Sequence, residues 1–159
     1  MIKIHTLKPT DYQSCYRLLQ NDNDEANYFK SLGWTIEQFK NDFLKASFSG
    51  HGIFENKILV GFIIGNIITI KNLIEYEILL IYIKKEKRKI GYASKLLDKI
   101  ELLLNKKLKK IYLEVAHNNN NAIKLYIKKG FNKLGIRKKY YSINNNKFDA
   151  LLFEKKFND

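Results

Sequence analysis

The chain has one cysteine, one proline, one tryptophan and three histidines in 159 residues. It is also short of acid, with 16 Asp and Glu against 29 Lys and Arg. A single cysteine excludes an intrachain disulfide and fits a reducing, cytoplasmic setting. With so few thiols and imidazoles, no metal-ligand spacing exists, and no metal is expected. No apolar run approaches the ~20 residues of a membrane span. The longest candidate, residues 58–70, is interrupted by Gly61, Gly65 and Asn66. The first residues lack a signal-peptide pattern, since charge enters at Lys3. No linker, repeat or composition break divides the chain, so one domain over residues 1–159 is expected.

What remains is a basic chain of ordinary hydrophobic content, 45%, with a formal net charge of +13. Such a charge suits polyanionic surroundings: a ribosome, nucleic acid or a phosphorylated cofactor. Lysine, asparagine and isoleucine share A/T-rich codons, so compositional bias accounts for the charge equally simply. No RNA- or DNA-binding motif accompanies it, which argues against sequence-specific nucleic-acid binding.

Periodicity gives the element order. Residues 2–7 alternate as a strand, and Pro9 opens a helix with Tyr12, Cys15, Tyr16, Leu18 and Leu19 on its apolar face. The polar segment 20–27 is expected to be a loop or a frayed end. Thr35 is the expected N-cap of a second helix with Phe39, Phe43 and Leu44 inward, broken at Gly50-His51-Gly52. A hairpin about residues 55–57 and a strand from about 73 to 83 follow. A helix begins after Gly91, and residues 110–115 form the next strand. The segment from Asn120 to Lys129 is a short helix closed by Gly130, and two strands finish the chain, near 131–141 and 148–157. The expected fold is α/β (α+β): a mixed, mostly antiparallel sheet with helices packed on it.

The segment Arg88-Lys89-Ile90-Gly91-Tyr92-Ala93 links the apolar strand to a helix start. The first helical turn carries unpaired N–H groups and a partial positive charge, and small residues let an anion approach them. The segment is therefore a candidate diphosphate cradle, with Lys89, Ser94 and Lys95 as further donors. Downstream, Glu114 lies near the end of an apolar strand, either a solvated carboxylate or a general base. Tyr126 is either a core phenol or a proton donor to a departing thiolate. Asn119 is a helix cap or a ligand contact.

Taken together, Arg88, Gly91, Ala93, Glu114, Val115, Asn119, Ala122, Leu125, Tyr126, Gly130 and Phe131 form an ordered pair of motifs that resembles the GCN5-related N-acetyltransferase superfamily. Within it the chain looks most like protein N-terminal acetyltransferases of the ribosomal-protein-alanine type, through Trp34-Thr35, residues 137–141 and Asp149-Ala150. Ala93 stands where a second glycine is commoner, and Gly33 where a proline is frequent. The resemblance implies a sheet with helices on both faces and two splayed parallel strands, with acetyl-CoA as co-substrate. It assigns Glu114 and Tyr126 as catalytic base and acid. It places Ile81, Tyr82, Ile83, Arg88, Lys89, Ile90, Gly91, Tyr92, Ala93, Ser94 and Asn119 at acetyl-CoA. It places Trp34, Tyr140 and Tyr141 at the acceptor, a protein N-terminus that includes ribosomal proteins among its candidates. A monomer or weak dimer without membrane contact is expected.

Overall fold

The computed structural model describes residues 1–157. Seven strands form one sheet: β1 (Ile2–Thr6), β2 (Phe48–Glu55), β3 (Ile58–Ile70), β4 (Leu73–Ile83), β5 (Leu108–Ala116), β6 (Asn132–Ile143) and β7 (Asn146–Lys156). Their spatial order is β1-β2-β3-β4-β5-β7-β6, with every pair antiparallel except β4 and β5. The helices are α1 (Tyr12–Gln20), α2 (Asn23–Ser31), α3 (Ile36–Phe43), α4 (Tyr92–Leu104) and α5 (Asn120–Lys128). No described helix is long and apolar enough to cross a membrane.

Two cores form because the sheet is apolar on both faces. On one side Leu96, Leu97 and Ile100 of α4 and Tyr126 of α5 meet Ile63, Tyr76, Ile111, Leu113 and Phe153. On the other, Cys15, Leu18 and Leu19 of α1 and Phe39 and Phe43 of α3 meet Phe62, Ile64 and Tyr82. Phe39 touches Tyr16, Trp34, Phe43 and Phe62 through ring contacts. Cys15 is fully buried, and burial pushes its thiol well above the ordinary range, so it serves as an inert core residue. Thr35 caps α3 by accepting from Gln38 N at 3.2 Å.

Three local expectations are corrected. The polar segment 20–27 is largely helical, because α2 begins at Asn23. Its apolar periodicity is weak because its described side chains are at most half-buried, so it leaves no clear stripe in the sequence. Gly50-His51-Gly52 ends no helix and lies inside β2. A Cβ at Gly50 would stand 2.8 Å from the Phe48 ring and 3.1 Å from the Ile63 carbonyl oxygen, so close packing of neighbours, not a turn, requires glycine there. Leu44, expected on the apolar face, is 63% exposed, because α3 ends at Phe43 and the chain turns away.

The feature that positions the site is where strand pairing stops. β4 and β5 pair from Ile74↔Leu108 to Ile78↔Leu113 and no further. Beyond that point β4 bulges against β3, with Ile64 opposite Leu80 but Gly65 opposite Ile78, and it continues to Ile83 paired with β3 alone. The far end of β5 stays paired with β7, Glu114↔Leu152 and Ala116↔Ala150. The two parallel strands therefore splay, leaving a gap in the sheet and, along residues 79–83, an edge of β4 with no partner strand.

Candidate active site

A cavity of about 880 Å³ opens at this gap. In an intact strand only alternate residues face one side. Here consecutive residues line one cavity: Glu77 to Ile81 from β4 and Leu113 to Ala116 from β5. The opening is thus lined by residues from both faces of the sheet, and Glu114 and Tyr126 line the same cavity. Val115 and Leu113 face the α4 and α5 core, whereas Glu114 points to the other face and is half-buried. Tyr126 rises from α5 with its ring against Phe131 and Phe153 at 5.6 and 6.3 Å. It lines the cavity. Burial, followed by the nearby Tyr141 phenol, pushes its pKa well above that of a free tyrosine, so the hydroxyl keeps its proton at neutral pH.

Arg137, outside the expected site, is brought to Glu114: its Nη1 lies 3.3 Å from Glu114 Oε1. Register explains the reach. Arg137 is opposite Ala150 and Glu114 is opposite Leu152, so the guanidinium crosses β7 diagonally on one sheet face. It also stands over the Tyr140 ring at 5.3 Å. Tyr140 and Tyr141 line the cavity, edge to face at 5.1 Å. Burial and the Glu114 carboxylate, in that order, raise the Tyr141 phenol above its usual range. The opposite wall comes from Tyr28, Phe29 and Leu32 of α2 and its end, then Trp34, with Gln38, Asp42, Lys45 and Glu77 toward one side. Asp42 is buried and satisfied, accepting from Gln38 Nε2 at 2.9 Å and Lys45 Nζ at 2.8 Å.

Tyr140 and Tyr141 are presented by a bulge. Arg137 pairs with Ala150 and Tyr141 with Phe148, so β6 carries two extra residues there. Lys139 takes a left-handed φ of 52°, and its N–H donates to Asp149 Oδ1 at 2.8 Å. Asp149 therefore holds the bulge that aims both tyrosines. Asp149→Ala removes a charge-assisted bond and is expected to destabilise by about 1–2 kcal/mol. Thermal melts measure that loss, and the acceptor KM is expected to rise more than kcat falls. Asp149→Asn, which keeps an acceptor oxygen, is expected to do less of both.

The segment before α4 has the geometry of an anion seat. Lys89 has φ 62° and Gly91, the N-cap of α4, has φ 88°. A Cβ on Gly91 would meet nothing within 4 Å, so the space over the helix N-terminus is open. Lys89, Ile90 and Gly91 are exposed, and Ala93 and Ser94 are half-buried. Tyr92 is different: it is 4% exposed, its ring in the core and its hydroxyl donating to Glu55 Oε1 at 3.3 Å, so only its backbone faces the seat. Tyr82 and Ile83 are likewise buried side chains that contribute backbone, whereas Ile81 lines the cavity. The Arg88 guanidinium is fully engaged within the protein, donating through Nε to the Ile83 carbonyl at 2.8 Å and through both Nη atoms to Glu25. Asn119 lines the cavity and caps α5, its Oδ1 accepting from Ala122 N at 3.3 Å while its amide N–H groups stay available. Trp34 lines the same wall as Tyr28 and Phe29, its backbone N–H donating to the Phe29 carbonyl at 3.0 Å.

A seven-stranded mixed sheet splayed at its one parallel pair, with an open helix N-terminus beside the gap, defines the fold class expected from the motifs. The sequence profile of the acetyltransferase (GNAT) family matches residues 11–131, and the chain belongs to that family. It is thus an acetyl-CoA-dependent N-acetyltransferase. Among solved structures it is similar to the ribosomal-protein-S18-alanine N-acetyltransferase from Escherichia coli, with a TM-score of 0.84 and 22% identity over 100% of this chain and 96% of that one. Arabidopsis thaliana NAA60, solved with a bisubstrate analogue, gives 0.80 and 22% over 99% of both chains. Arabidopsis thaliana Naa50 with the bisubstrate analogue CoA-Ac-MVNAL gives 0.73 and 21% over 98% of this chain and 99% of that one. None of the curated proteins matches the chain significantly by sequence.

Proposed function

We propose that this enzyme acetylates the α-amine of a protein N-terminus. The observation that carries the reading is the aromatic lining of the cavity that holds Glu114, with Tyr28, Phe29 and Trp34 from α2 and the segment after it and Tyr140 and Tyr141 from β6. A cavity of about 880 Å³ lined in that way suits the end of a polypeptide better than a compact small amine. The likeness to the ribosomal-protein-S18-alanine N-acetyltransferase and to Naa50 bound to CoA-Ac-MVNAL supports it, and a ribosomal protein is the first substrate to try.

The residues fit the co-substrate. The strand edge at 81–83, which has no partner strand and whose Ile83 carbonyl alone is taken by Arg88 Nε, suits an extended, amide-containing arm, and the backbone N–H groups of residues 89–94 suit a diphosphate. Lys89, Ser94 and the Asn119 amide add donors. Acetyl-CoA supplies an acetyl group already activated as a thioester. Glu114 takes the proton that the substrate ammonium must lose, directly or through water, so that the neutral amine can attack the thioester carbonyl, and as the C–S bond breaks the protonated Tyr126 hydroxyl gives a proton to the leaving sulfur. A backbone N–H near Ile83 stabilises the oxyanion.

The amine class follows from magnitude. Neutralising an α-amine of pKa about 8 at pH 7 costs roughly 1.4 kcal/mol, against roughly 4.6 for a lysine of about 10.4. One carboxylate, here already paired with Arg137, is matched to the smaller demand. Incubation with acetyl-CoA and a panel of N-terminal peptides, lysine side-chain peptides, polyamines and aminoglycosides tests the reading by mass spectrometry. Acetylation confined to free peptide N-termini is expected, and turnover of small amines alone rejects it.

A further inference from the structure

α2 walls the acceptor side of the cavity yet is weakly anchored. None of its described side chains is fully buried, whereas α1, α3, α4 and α5 each bury at least one. Phe29 reaches inward, edge to face with Tyr82 at 5.6 Å. The other firm tether is ionic: Glu25 receives both Nη atoms of Arg88, Nη1 to Oε1 at 2.6 Å, in a bidentate fork. The pair is about one-third exposed, with relative exposures of 35% and 28%. Arg88 is held from behind by the Ile83 carbonyl and stands over the Tyr82 ring at 5.5 Å. Around it lie two unpartnered buried oxygens, Asp22 Oδ2 and the Tyr82 hydroxyl. Burial, then Glu25 and Asp22, push the Tyr82 phenol up to about 12. Arg88 is thus the cation that compensates two carboxylates at the start of α2.

Arg88 is also the first residue of the anion seat. Its backbone leads directly into Lys89 and Gly91, the two left-handed residues that shape the loop. One side chain therefore joins the donor loop to the acceptor wall. We infer that Glu25 is a positioning residue, coupling acetyl-CoA binding on residues 88–94 to the ordering of α2 against β6. This rests on the reading of that segment as the donor seat. A helix with few buried contacts opens at low free energy, so a tether to a ligand-filled loop shifts its population measurably. Linkage then requires the reverse effect as well: an ordered acceptor wall tightens the donor.

Amide hydrogen exchange on the full chain, with and without saturating acetyl-CoA, tests the coupling. In the wild type, exchange in residues 26–32 is expected to slow about fivefold or more on donor binding. In Glu25→Gln the donor should still bind, with Kd changed by no more than about threefold, while those amides no longer respond. Steady-state kinetics of the same variant should show the KM for an acceptor peptide raised about tenfold, with kcat within about twofold. Glu25→Asp, which keeps the charge on a shorter arm, should recover part of that loss. Equal slowing of α2 in wild type and Glu25→Gln overturns the inference. So does a donor Kd that weakens as much as the acceptor KM, since Glu25 would then act on the donor seat alone. A wild-type chain that fails to bind acetyl-CoA overturns the donor seat itself, and the coupling falls with it.

Discussion

Glu114→Gln is expected to lower kcat at pH 7 by about 10²- to 10⁴-fold, the range that general-base catalysis supplies. Glutamine keeps the shape and an oxygen that can still accept from Arg137, now 3.3 Å from the carboxylate, so the fold should hold. The loss should also depend on pH in a direction that identifies the acceptor. Without a base, only amine already deprotonated in solution can react. The variant's kcat/KM should therefore climb about tenfold per pH unit and level off near the amine's own pKa, about 8 for an α-amine and about 10.4 for lysine. Tyr126 imposes no competing limb below that, because burial raises its pKa and keeps it protonated. Stopped-time assays from pH 6 to pH 9.5 measure both features. A variant within threefold of wild type would remove Glu114 from the proton path.

Arg137 makes the same experiment more informative. It sits beside the carboxylate proposed to receive the ammonium proton, and its positive charge disfavours the charged form of an amine brought there. The resemblance takes in Arg137 as part of residues 137–141 but gives it no partner and no role. Glu114 and Arg137 are separated by a helix and a turn, and they meet only because β7 inserts between β5 and β6. Strand order of that kind is a tertiary fact, invisible to periodicity.

The contrast runs through the whole site. The half proposed for acetyl-CoA is local: strand, Gly91, helix, then Glu114, Asn119 and Tyr126 on the next strand and helix, each at a spacing the sequence displays. The family match over residues 11–131 covers that half together with α2 and Trp34, but stops short of β6. The half proposed for the acceptor is assembled from distant pieces: α2, Trp34, Gln38 and Asp42 line one cavity with residues of β6. α2 hid in a polar stretch because it buries so little, and the two-residue bulge before Tyr141 hid because Lys139 is an ordinary lysine forced into a left-handed turn. Trp34, Tyr140 and Tyr141 are visible through resemblance, whereas Tyr28, Phe29 and the pairing of Arg137 with Glu114 need the fold.

Gly91→Ala is expected to weaken acetyl-CoA binding about tenfold to a hundredfold while leaving the enzyme folded. Two effects must be separated. An alanine at φ 88° carries backbone strain of about 1–2 kcal/mol, whatever surrounds it. At about 2–4 °C per kcal/mol for a chain of this size, melting should fall by only a few degrees. The added methyl group itself meets no protein atom within 4 Å, so nothing in the protein resists it. What it enters is the open space over the N-terminus of α4, where a diphosphate would approach the backbone N–H groups. Gly130 supplies a matched control. Its φ is 87°, and a Cβ there would make ordinary contact with Lys155 at 3.5 Å. Gly130→Ala should thus show the same fall in melting temperature with acetyl-CoA affinity near wild type. Calorimetric titration of both variants decides the matter, because the strain cancels in the comparison. If Gly91→Ala binds acetyl-CoA as tightly as Gly130→Ala, the glycine serves only the turn, and the diphosphate rests elsewhere.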